Sequence, residues 1–344
     1  METAAPTKTV DIVIPAYNEE GNIARVIETL FERLAALPYR FELIVVDDGS
    51  HDRTADIAAS YVGRHSIRVV RLTRNFGKEN ALLAGLDLAR GAATILMDAD
   101  LQHPVELIPE FLARWEQGFE VIYAVKETRQ GEGMLKRLAT AAFYAGVNRG
   151  GDFSIPANAV DFRLLDRAAV RALCSIRERV RFTKGLYAWL GFKTCAVPFT
   201  ASDRHTGQTT FNRRRLTRLG WDGLTSFSDF PLRVMSAVGA LIAFAAVPYG
   251  LWIAVRTLVY GVDVPGWATL TVATMLLGGL QLLFLGVLGQ YIRNVFIETK
   301  QRPNYLIRDI VDPDSAAASQ SGASRESPST SAVAVVRSGR SAVV

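Results

Sequence analysis

Two pairs of aspartates follow apolar runs that are typical of buried strands. Asp98 comes directly after the run ILM, and Asp100 follows two residues later. Asp47 and Asp48 come directly after LIVV. Residues two apart in an extended chain point the same way, so the carboxylates of Asp98 and Asp100 converge and repel unless a proton or a cation lies between them. Oxygen ligands without histidine or cysteine favour Mg²⁺ or Mn²⁺, which proteins bind through one or two carboxylates and the phosphates of a substrate. The spacing therefore predicts a divalent-metal site. The alternative, a helix cap ahead of Pro104, accounts for only one carboxylate.

The segments that must position these carboxylates alternate between strand and helix patterns. Strands are predicted at residues 9–14, where Pro15 ends the run, and at FELIVVDD, IRVVRL, ATILMDAD and FEVIYAV. Apolar residues recur at helical spacing between them, for example from Glu19 to Leu37. This alternation predicts an α/β fold with a mostly parallel sheet and helices on both faces. Ligands of such sheets bind outside the carboxyl ends of the strands, where both aspartate pairs lie.

Composition and motifs narrow the class of protein. The chain has 344 residues, of which 49% are hydrophobic, and a formal net charge of +5, which allows a sizeable core and more than one domain. Its two cysteines, Cys174 and Cys195, lack the spacing of a metal site, so a reducing compartment is expected. There is no GxxxxGKS/T motif, and no GxGxxG follows the first strand, which argues against a P-loop nucleotidase and a nicotinamide oxidoreductase. Any phosphate groups would then be held by metal and basic side chains.

The C-terminal part has the composition of a membrane anchor. Residues 234–255 carry no charge, and neither do residues from about 264 to 292. Each stretch is long enough to cross a bilayer core of roughly 30 Å at about 1.5 Å per residue. Residues 212–233 mix basic, aromatic and apolar side chains, as an interfacial segment does, and residues 312–344 are predicted to be disordered.

The orientation of the spans follows from their flanks. No cleaved signal peptide is visible at the N-terminus. The basic residues lie mostly outside the hairpin, so the first domain and both termini are predicted to be cytoplasmic by the positive-inside rule. These basic residues are Arg213, Arg214, Arg215, Arg218 and Arg233 before the first span and Arg293, Lys300, Arg302 and Arg308 after the second.

Eight stretches, taken together, resemble a known family. Four resemble the GT-A domain of inverting family 2 glycosyltransferases: IPAYNEE (14–20), VVDDGSHDRT (45–54), RNFGKENALLAGLDLARG (74–91) and MDADLQHPVE (97–106). Four more are similar to the polyprenyl-phosphate glycosyltransferases, which include dolichyl-phosphate mannose synthases and bacterial undecaprenyl-phosphate glucosyltransferases: DFRLLDR (161–167), RVRFTKGLYAWLGF (179–192), GLTSFSDFPLR (223–233) and GQYIRNVFIETKQRPNYLI (289–307). The resemblance covers residues 9–310.

The resemblance implies a division of the chain. A Rossmann-like GT-A catalytic domain would occupy residues 1–211, followed by juxtamembrane interfacial helices at 212–233 and a two-helix transmembrane hairpin at 234–292. A cytoplasmic juxtamembrane segment at 293–311 and the disordered tail at 312–344 would complete it.

The resemblance also implies a donor pocket that holds a nucleotide sugar and Mg²⁺ or Mn²⁺. Asp98 and Asp100, with Gln102 assisting, would hold the metal against the diphosphate. One of Asp47 and Asp48 would face the nucleoside while the other caps the next helix, and the sequence leaves open which does which. The implied donor-binding residues are Pro15, Ala16, Tyr17, Glu19, Asp47, Asp48, Lys78, Asp98 and Ala99.

On the acceptor side the resemblance points to charged residues around Asp161. Arg163, Arg181 and Lys184 would contact phosphate and, with Asp100 and Asp161, form the catalytic set. Lys136, Arg137 and Thr140 have weaker support. The alternative for each of the basic residues is an ordinary solvated charge. His103 is expected to cap the following helix and not to act as a base. The chain departs from the family at Val160, where relatives have glycine, and at Gln208-Thr209-Thr210, where relatives have a lysine.

These features together predict an enzyme that moves one sugar from a nucleotide diphosphate to polyprenyl phosphate on the cytoplasmic face of a bacterial inner membrane. A phosphate monoester is largely ionised near neutral pH, since its second pKa is about 6. No strong general base is then needed, and Asp161 is expected to orient the acceptor or pair with a cation. UDP-glucose is the favoured donor and GDP-mannose the alternative.

Two other functions are weighed against this one. A polysaccharide-building family 2 transferase is disfavoured because the QxxRW motif is missing. A membrane scaffold or sensor with a degenerate nucleotide-sugar-binding domain is the alternative of another class. Besides donor and acceptor, the expected partner is the lipid bilayer, with no nucleic acid, and a homo-oligomer stays open.

Overall fold

The computed structural model describes residues 8–100, 102–126, 159–179, 181–199, 230–261 and 266–313. Several residues discussed above lie outside these ranges, as do most of the segment predicted to be interfacial and the tail from residue 314 onward. They are Lys136, Arg137, Thr140, Gln208, Thr209, Thr210, Arg213, Arg214, Arg215 and Arg218.

Eight strands form one mixed sheet. They are β1 Thr9–Ala16, β2 Arg40–Asp47, β3 Ile67–Leu72, β4 Ala93–Leu96, β5 Val121–Lys126, β6 Ala159–Asp166, β7 Thr194–Phe199 and β8 Ile307–Val311. Their order across the sheet is β7-β5-β6-β4-β1-β2-β3-β8. The pairs β1–β2, β1–β4, β2–β3 and β5–β7 are parallel, whereas β6 runs antiparallel to β4 and β5, and β8 runs antiparallel to β3. The predicted α/β fold with a mostly parallel sheet is confirmed.

The strand predictions need two corrections. The pattern misses β6, β7 and β8, because β6 and β8 carry charged residues inside short apolar stretches and β7 contains Pro198. The first strand does not end before Pro15 but continues to Ala16, with Pro15 in register with Val46. The ladder between β1 and β4 stops at Val13 and Leu96, so the missing N–H of Pro15 leaves no partner unpaired on that side.

Helices cover both faces of the sheet. They are α1 Ile23–Leu34, α2 Thr54–Ala59, α3 Lys78–Leu88, α4 Ile108–Glu116, α5 Arg167–Ser175 and α6 Thr183–Trp189. Side chains alternate along β1, so Ile12 and Ile14 join one buried cluster with α1 and α4, whereas Val13 joins the other with α3, α5 and α6. Helix α1 is shorter than the predicted 19–37 segment and buries an apolar stripe at helical spacing.

Helix α3 lies very close to the sheet. A Cβ atom on Gly85 would lie only 2.3 Å from Cγ1 of Val13, so glycine permits this approach. The helix is buried over most of its length, including Ala81, Leu83 and Leu86. This packing fixes where α3 begins, at Lys78, above the carboxyl ends of the parallel strands.

Two long helices lie between β7 and β8 in the chain. They are α7 Phe230–Tyr260 and α8 Trp267–Thr299. Their apolar stretches, Leu232–Tyr260 and Val272–Thr299, have a mean hydropathy of 2.0 and no buried share. At about 1.5 Å per residue each exceeds the roughly 30 Å of a bilayer core. Two such exposed helices indicate that the protein associates with a membrane.

The chain returns to the sheet after α8. Strand β8 pairs with β3, and the N–H of Thr73 donates to the carbonyl of Leu306 at 3.0 Å. The end of α8 is thereby tied to the same sheet that carries the aspartates. If α7 and α8 cross a membrane, both ends of the hairpin lie on the side of the sheet, because an even number of spans returns the chain to its starting side.

Candidate functional site

Lys78 connects two carboxylates at the edge of the sheet. Its Nζ lies 2.7 Å from Oδ1 and 2.9 Å from Oδ2 of Asp98, and 3.0 Å from Oδ2 of Asp161. On the other side, the Nζ of Lys184 lies 3.8 Å from Oδ1 of Asp161. The side chains of Lys78, Asp98 and Asp161 remain 41%, 27% and 30% exposed, so a ligand can reach them. We call Lys78, Asp98, Asp161 and Lys184 the lysine–aspartate network.

Three elements bring this network together. Asp98 follows β4, and β6 runs antiparallel beside it with Arg163 opposite Leu96, so Asp161 lies just beyond the carboxyl end of β4. Lys78 is the first residue of α3 and follows Gly77, whose φ of 95° favours glycine. Residues that are far apart in sequence therefore meet because of the antiparallel insertion of β6.

The opposite charges of the lysine–aspartate network stabilise one another. Burial acts to lower the pKa of Lys78, but the carboxylates of Asp98 and Asp161 outweigh burial and raise it. Burial acts to raise the pKa of Asp161, but the ammonium groups of Lys78 and Lys184 outweigh burial and lower it to about 2. Both groups are therefore charged near neutral pH, and Asp161 is a weak base.

A second carboxylate set lies beside the network. The N–H of Gln102 donates to Oδ1 of Asp100 at 3.1 Å. Burial raises the pKa of Glu19, and the carboxylates of Asp100, Asp52 and Asp98 act in the same direction, which places Glu19 within electrostatic range of the aspartate pair. Glu19 also accepts a 2.7 Å hydrogen bond from the side-chain amide of Asn22.

The donor set fits a hard divalent cation that takes few protein ligands. Asp98 and Asp100 offer carboxylate oxygens, and Gln102 offers an amide oxygen. Within the described residues no group of three or more His, Cys, Asp or Glu side chains is arranged to hold a metal ion. A Mg²⁺ or Mn²⁺ ion here would complete its shell with water and substrate phosphate, as such ions commonly do.

His103 supports the end of β4 instead of capping a helix. Its Nδ1 accepts the N–H of Asp98 at 3.4 Å, and its ring stacks on Phe162 with centroids 5.2 Å apart and planes 7° apart. Burial lowers the pKa of His103. The predicted helix cap is wrong, because the helical turn after Pro104 has no side-chain cap. The imidazole instead joins Asp98 to the strand that carries Asp161.

Asp47 and Asp48 have different partners. Asp48 accepts the N–H groups of Phe76 at 2.7 Å and Gly77 at 2.8 Å, so it holds the residues just before α3. Asp47 accepts the N–H of Ser50 at 3.3 Å on each of its two carboxylate oxygens. Of the two adjacent aspartates, Asp48 is therefore the one that fixes the backbone leading into α3, although it accepts no N–H of the helix itself.

The next helix along the chain, α2, is capped by another aspartate, Asp52. Asp52 accepts the N–H of Thr54 at 3.0 Å, so the capping role predicted for one aspartate of the adjacent pair falls to Asp52. Gly49 makes the turn between these residues possible. Its φ is +70°, and a Cβ there would lie 2.4 Å from the carbonyl carbon of Arg74.

The loop after β1 forms the other wall beside Asp47. The N–H of Asn18 donates to Oγ of Ser50 at 2.9 Å, and the N–H of Glu19 donates to Oγ1 of Thr54 at 2.7 Å. Tyr17 is 40% exposed and stands edge-on to His51, with ring centroids 6.4 Å apart. The structure thus brings the predicted donor residues Pro15, Ala16, Tyr17, Glu19, Asp47, Asp48, Lys78, Asp98 and Ala99 to one edge of the sheet.

The three predicted phosphate contacts are placed differently. Lys184 is in the network and also donates to the carbonyl of Ala159 at 3.1 Å. Arg163 is buried with its guanidinium 3.7 Å from the centroid of the Tyr187 ring, and it donates to the carbonyl of Val160 at 3.0 Å. Arg181 lies at the end of α5, where it donates to the carbonyls of Ile176 at 2.7 Å and Leu173 at 3.2 Å. Only Lys184 contacts the carboxylates of the network.

One contact was not found from the sequence. The hydroxyl of Thr183, at the start of α6, donates to the carboxylate of Glu79 in the first turn of α3. Burial raises the pKa of Glu79. This bond ties α6, which carries Lys184, to α3, which carries Lys78. Glu79 stands in the first turn of α3, an ordinary position for an acidic residue, so the sequence carries no signal for this contact.

Comparison with known proteins agrees with this geometry. Residues 11–174 match the model of the family described as Glycosyl transferase family 2. The chain is 43% identical over 305 residues to an uncharacterized glycosyltransferase of Synechocystis sp., covering 88% of this chain and 96% of that protein. It is 40% identical over 301 residues to the bactoprenol glucosyl transferase of Shigella phage SfV, covering 87% and 98%.

Solved structures include more distant neighbours. Glucosyl-3-phosphoglycerate synthase from Mycobacterium tuberculosis, in complex with Mg²⁺ and uridine diphosphate, aligns with a TM-score of 0.47 and 18% identity over 64% of this chain and 79% of that one. The family assignment rests instead on the close relatives and the matching family model. The chain belongs to glycosyltransferase family 2, and it is a glycosyltransferase with a GT-A-like sheet and two apolar C-terminal helices.

Proposed function

We propose that this enzyme transfers glucose from UDP-glucose to a polyprenyl phosphate, with Mg²⁺ or Mn²⁺, and inverts the anomeric centre. The observation that carries the proposal is the position of Lys78 between Asp98 and Asp161. This arrangement supports the proposal because a site that joins a diphosphate and a phosphate monoester needs cationic groups beside accessible carboxylates. Support for the acceptor comes from relatives named bactoprenol glucosyl transferase that match over most of their length.

On the donor side, the loops after β1 and β2 form the nucleoside wall. We assign the contact with base or ribose to Tyr17, which is 40% exposed, and to Asp47, because the carboxylate of Asp48 is already bound by two backbone N–H groups. Asp98 and Asp100 would hold the metal, which supplies electrostatic stabilisation of the leaving diphosphate when it is bound. Lys78 adds a second positive charge beside it.

On the acceptor side, the phosphate monoester needs orientation more than deprotonation. It is largely dianionic near neutral pH, since its second pKa is about 6. Asp161, whose pKa is lowered to about 2, cannot serve as an efficient base at that pH. We infer that it orients the ammonium group of Lys184 toward the acceptor phosphate and that of Lys78 toward the diphosphate. The acceptor phosphate then attacks the anomeric carbon from the side opposite the diphosphate.

The membrane helices complete the proposal. A polyprenyl chain stays in the bilayer, so its phosphate lies at the membrane surface. We propose that α7 and α8 span a bacterial inner membrane with the catalytic domain and both termini in the cytoplasm. We also propose the division predicted from the sequence, with a catalytic domain at residues 1–211, an interfacial segment at 212–233, a hairpin at 234–292, a cytoplasmic segment at 293–311 and a disordered tail at 312–344.

A screen of donors tests the proposal. The purified full-length protein is reconstituted in vesicles with undecaprenyl phosphate, and radiolabelled UDP-glucose, UDP-galactose, UDP-N-acetylglucosamine and GDP-mannose are supplied in turn. We expect lipid-extractable label from UDP-glucose that disappears with EDTA and returns with excess Mg²⁺ or Mn²⁺. Label from GDP-mannose alone would keep the reaction class and overturn the donor. Nucleotide-sugar binding without transfer from any donor would favour a scaffold or sensor.

A further inference from the structure

The last turn of α8 is attached to the catalytic domain through one arginine. The carboxylate of Glu298 accepts the N–H of Arg179 at 2.6 Å and its Nη1 at 3.3 Å. The same Nη1 donates to the carbonyl of Glu298 at 2.9 Å, and Nε donates to the carbonyl of Arg302 at 2.7 Å. Arg179 therefore binds both the end of the helix and the chain that follows it.

A second group of contacts holds the chain that follows α8 against Asp87, near the C-terminal end of α3. The hydroxyl of Tyr305 donates to Oδ2 of Asp87 at 2.6 Å, and Arg177 donates to both oxygens of Asp87 at 2.6 and 2.8 Å. The Asp87 side chain is only 6% exposed. The side-chain amide of Asn304 also donates to the carbonyl of Glu178 at 3.2 Å. We call Asp87, Arg177, Arg179, Glu298 and Tyr305 the hairpin junction.

The hairpin junction lies close in sequence to the acceptor side of the site. Helix α6 begins at Thr183, four residues after Arg179, and its second residue is Lys184. Thr183 binds Glu79, next to Lys78, and Lys184 reaches Asp161. A shift of the loop at 177–179 would therefore move Lys184, which faces Asp161.

We propose that the hairpin junction holds Lys184 and Asp161 in a fixed position relative to the end of α8. This inference rests on the proposed function, because it concerns an acceptor whose phosphate is confined to the membrane surface. Precise placement of reacting groups contributes strongly to rate, and errors of about an ångström are costly. The donor arrives from water and does not require this placement. The junction residues are thus positioning residues for the lipid acceptor alone.

Single substitutions in the full-length protein test this selectivity. Glu298→Gln removes the charge that binds Arg179, and Tyr305→Phe removes only the hydroxyl that binds Asp87. Matched controls are Glu116→Gln, which breaks the exposed 2.8 Å ion pair with Lys8, and Tyr61→Phe, which removes a 2.6 Å bond to Glu28. Neither control residue contacts the membrane helices or the lysine–aspartate network within the described structure.

The measurement is kcat/KM for two acceptors in the same vesicles: undecaprenyl phosphate and water-soluble geranyl phosphate. We expect Glu298→Gln to lower kcat/KM for undecaprenyl phosphate about tenfold and Tyr305→Phe about threefold, because Glu298 loses its charge whereas Asp87 keeps its ion pair with Arg177. The KM for UDP-glucose and the rate with geranyl phosphate should stay within about twofold of wild type, as in both controls.

The outcomes separate the two proposals. Equal losses with both acceptors, or a matching rise in the KM for UDP-glucose, would show a general structural role and overturn the positioning proposal. Unchanged kinetics in both variants would overturn it as well. Absence of lipid-linked product from the wild-type protein, with every nucleotide sugar, would instead contradict the proposed function.

Discussion

Aspartates in two regions of this molecule illustrate two ways of holding a buried or half-buried carboxylate. Asp48 accepts the backbone N–H groups of Phe76 and Gly77, and Asp11 accepts those of Arg90 at 2.5 Å and Gly91 at 2.7 Å. Asp98 and Asp161 are held by lysine ammonium groups. Backbone donors are fixed by the fold, whereas a lysine can turn its charge toward a ligand phosphate. The first kind of aspartate fixes the backbone around it, and we propose that the second takes part in catalysis.

The two kinds also respond differently to acid. Burial raises the pKa of Asp48 and of Asp11 despite their backbone hydrogen bonds. The pKa of Asp161 is lowered to about 2, because its lysine partners outweigh burial. A carboxylate with a lowered pKa stabilises the folded state at pH values above its unfolded pKa of about 3.9 and loses that contribution as the pH falls toward 2. Asp161 should therefore stay ionised throughout the working range of the enzyme.

The largest effect is expected for Asp98→Asn. It removes one proposed metal ligand and one partner of Lys78, and we expect kcat to fall about 10³-fold, the upper range for loss of one strong electrostatic contact. The measurement is the rate of lipid-linked label at saturating UDP-glucose. The matched control is Asp166→Asn, which keeps the cap of α5 on the N–H of Ala168. It loses only the 2.9 Å bond from the indole N–H of Trp115, at the end of β6 away from the lysine–aspartate network. A control as inactive as Asp98→Asn would contradict the comparison.

A smaller loss is expected for Lys78→Met. This variant keeps the length of the side chain and removes the charge between Asp98 and Asp161, so we expect kcat/KM for the donor to fall about 100-fold. Lys78→Arg should recover part of the loss, since the positive charge remains. Lys8→Met, which breaks the exposed pair with Glu116, serves as control and should leave kcat/KM unchanged. Full activity of Lys78→Met would remove Lys78 from the mechanism.

Asp161→Asn should cost less than Lys78→Met. If Asp161 orients the lysines, we expect about a tenfold loss of kcat, with an acidic limb of the pH–rate profile near pH 6 that persists because it belongs to the acceptor phosphate. A role as general base predicts the opposite: a far larger loss and disappearance of the limb that reports the base. Unchanged turnover would exclude Asp161 from the mechanism altogether.

The smallest effect on chemistry is expected for Asp48→Asn, which instead affects stability. The asparagine amide can accept only one of the two N–H groups that Asp48 accepts, so we expect the free energy of unfolding to fall by about 2 kcal/mol. The measurement is the midpoint of thermal unfolding, followed by activity per folded molecule at a lower temperature. A catalytic loss as large as that of Asp98→Asn, without loss of stability, would show that Asp48 binds the donor directly.

The sequence predicts most of the helices and strands but not all of the contacts between them. Five strands, the helices between them and two long apolar helices follow from periodicity, because each is a local pattern. The contact of Lys78 with Asp161 is not local. It depends on β6 entering the sheet antiparallel beside β4, and no pattern in DFRLLDR predicts which strand it pairs with.

The roles of adjacent residues were equally hard to predict. An extended strand places Asp47 and Asp48 on opposite sides, but only the structure shows that Asp48 meets the N–H groups before α3. Strand β8 is charged, lies beyond two apolar helices and pairs with β3, more than 200 residues earlier, where Leu72 lies opposite Ile307. Contacts of this kind depend on tertiary packing, which single-sequence periodicity does not describe.

The most direct test of the account is the activity of the Lys78→Met/Asp98→Asn double variant. Residues that act as one unit are strongly non-additive. If the lysine–aspartate network is the transfer site, the double variant should be within about threefold of Asp98→Asn alone in its rate of lipid-linked glucose formation. A double variant whose loss is the product of the two single losses would show that Lys78 and Asp98 act independently, and would contradict the account.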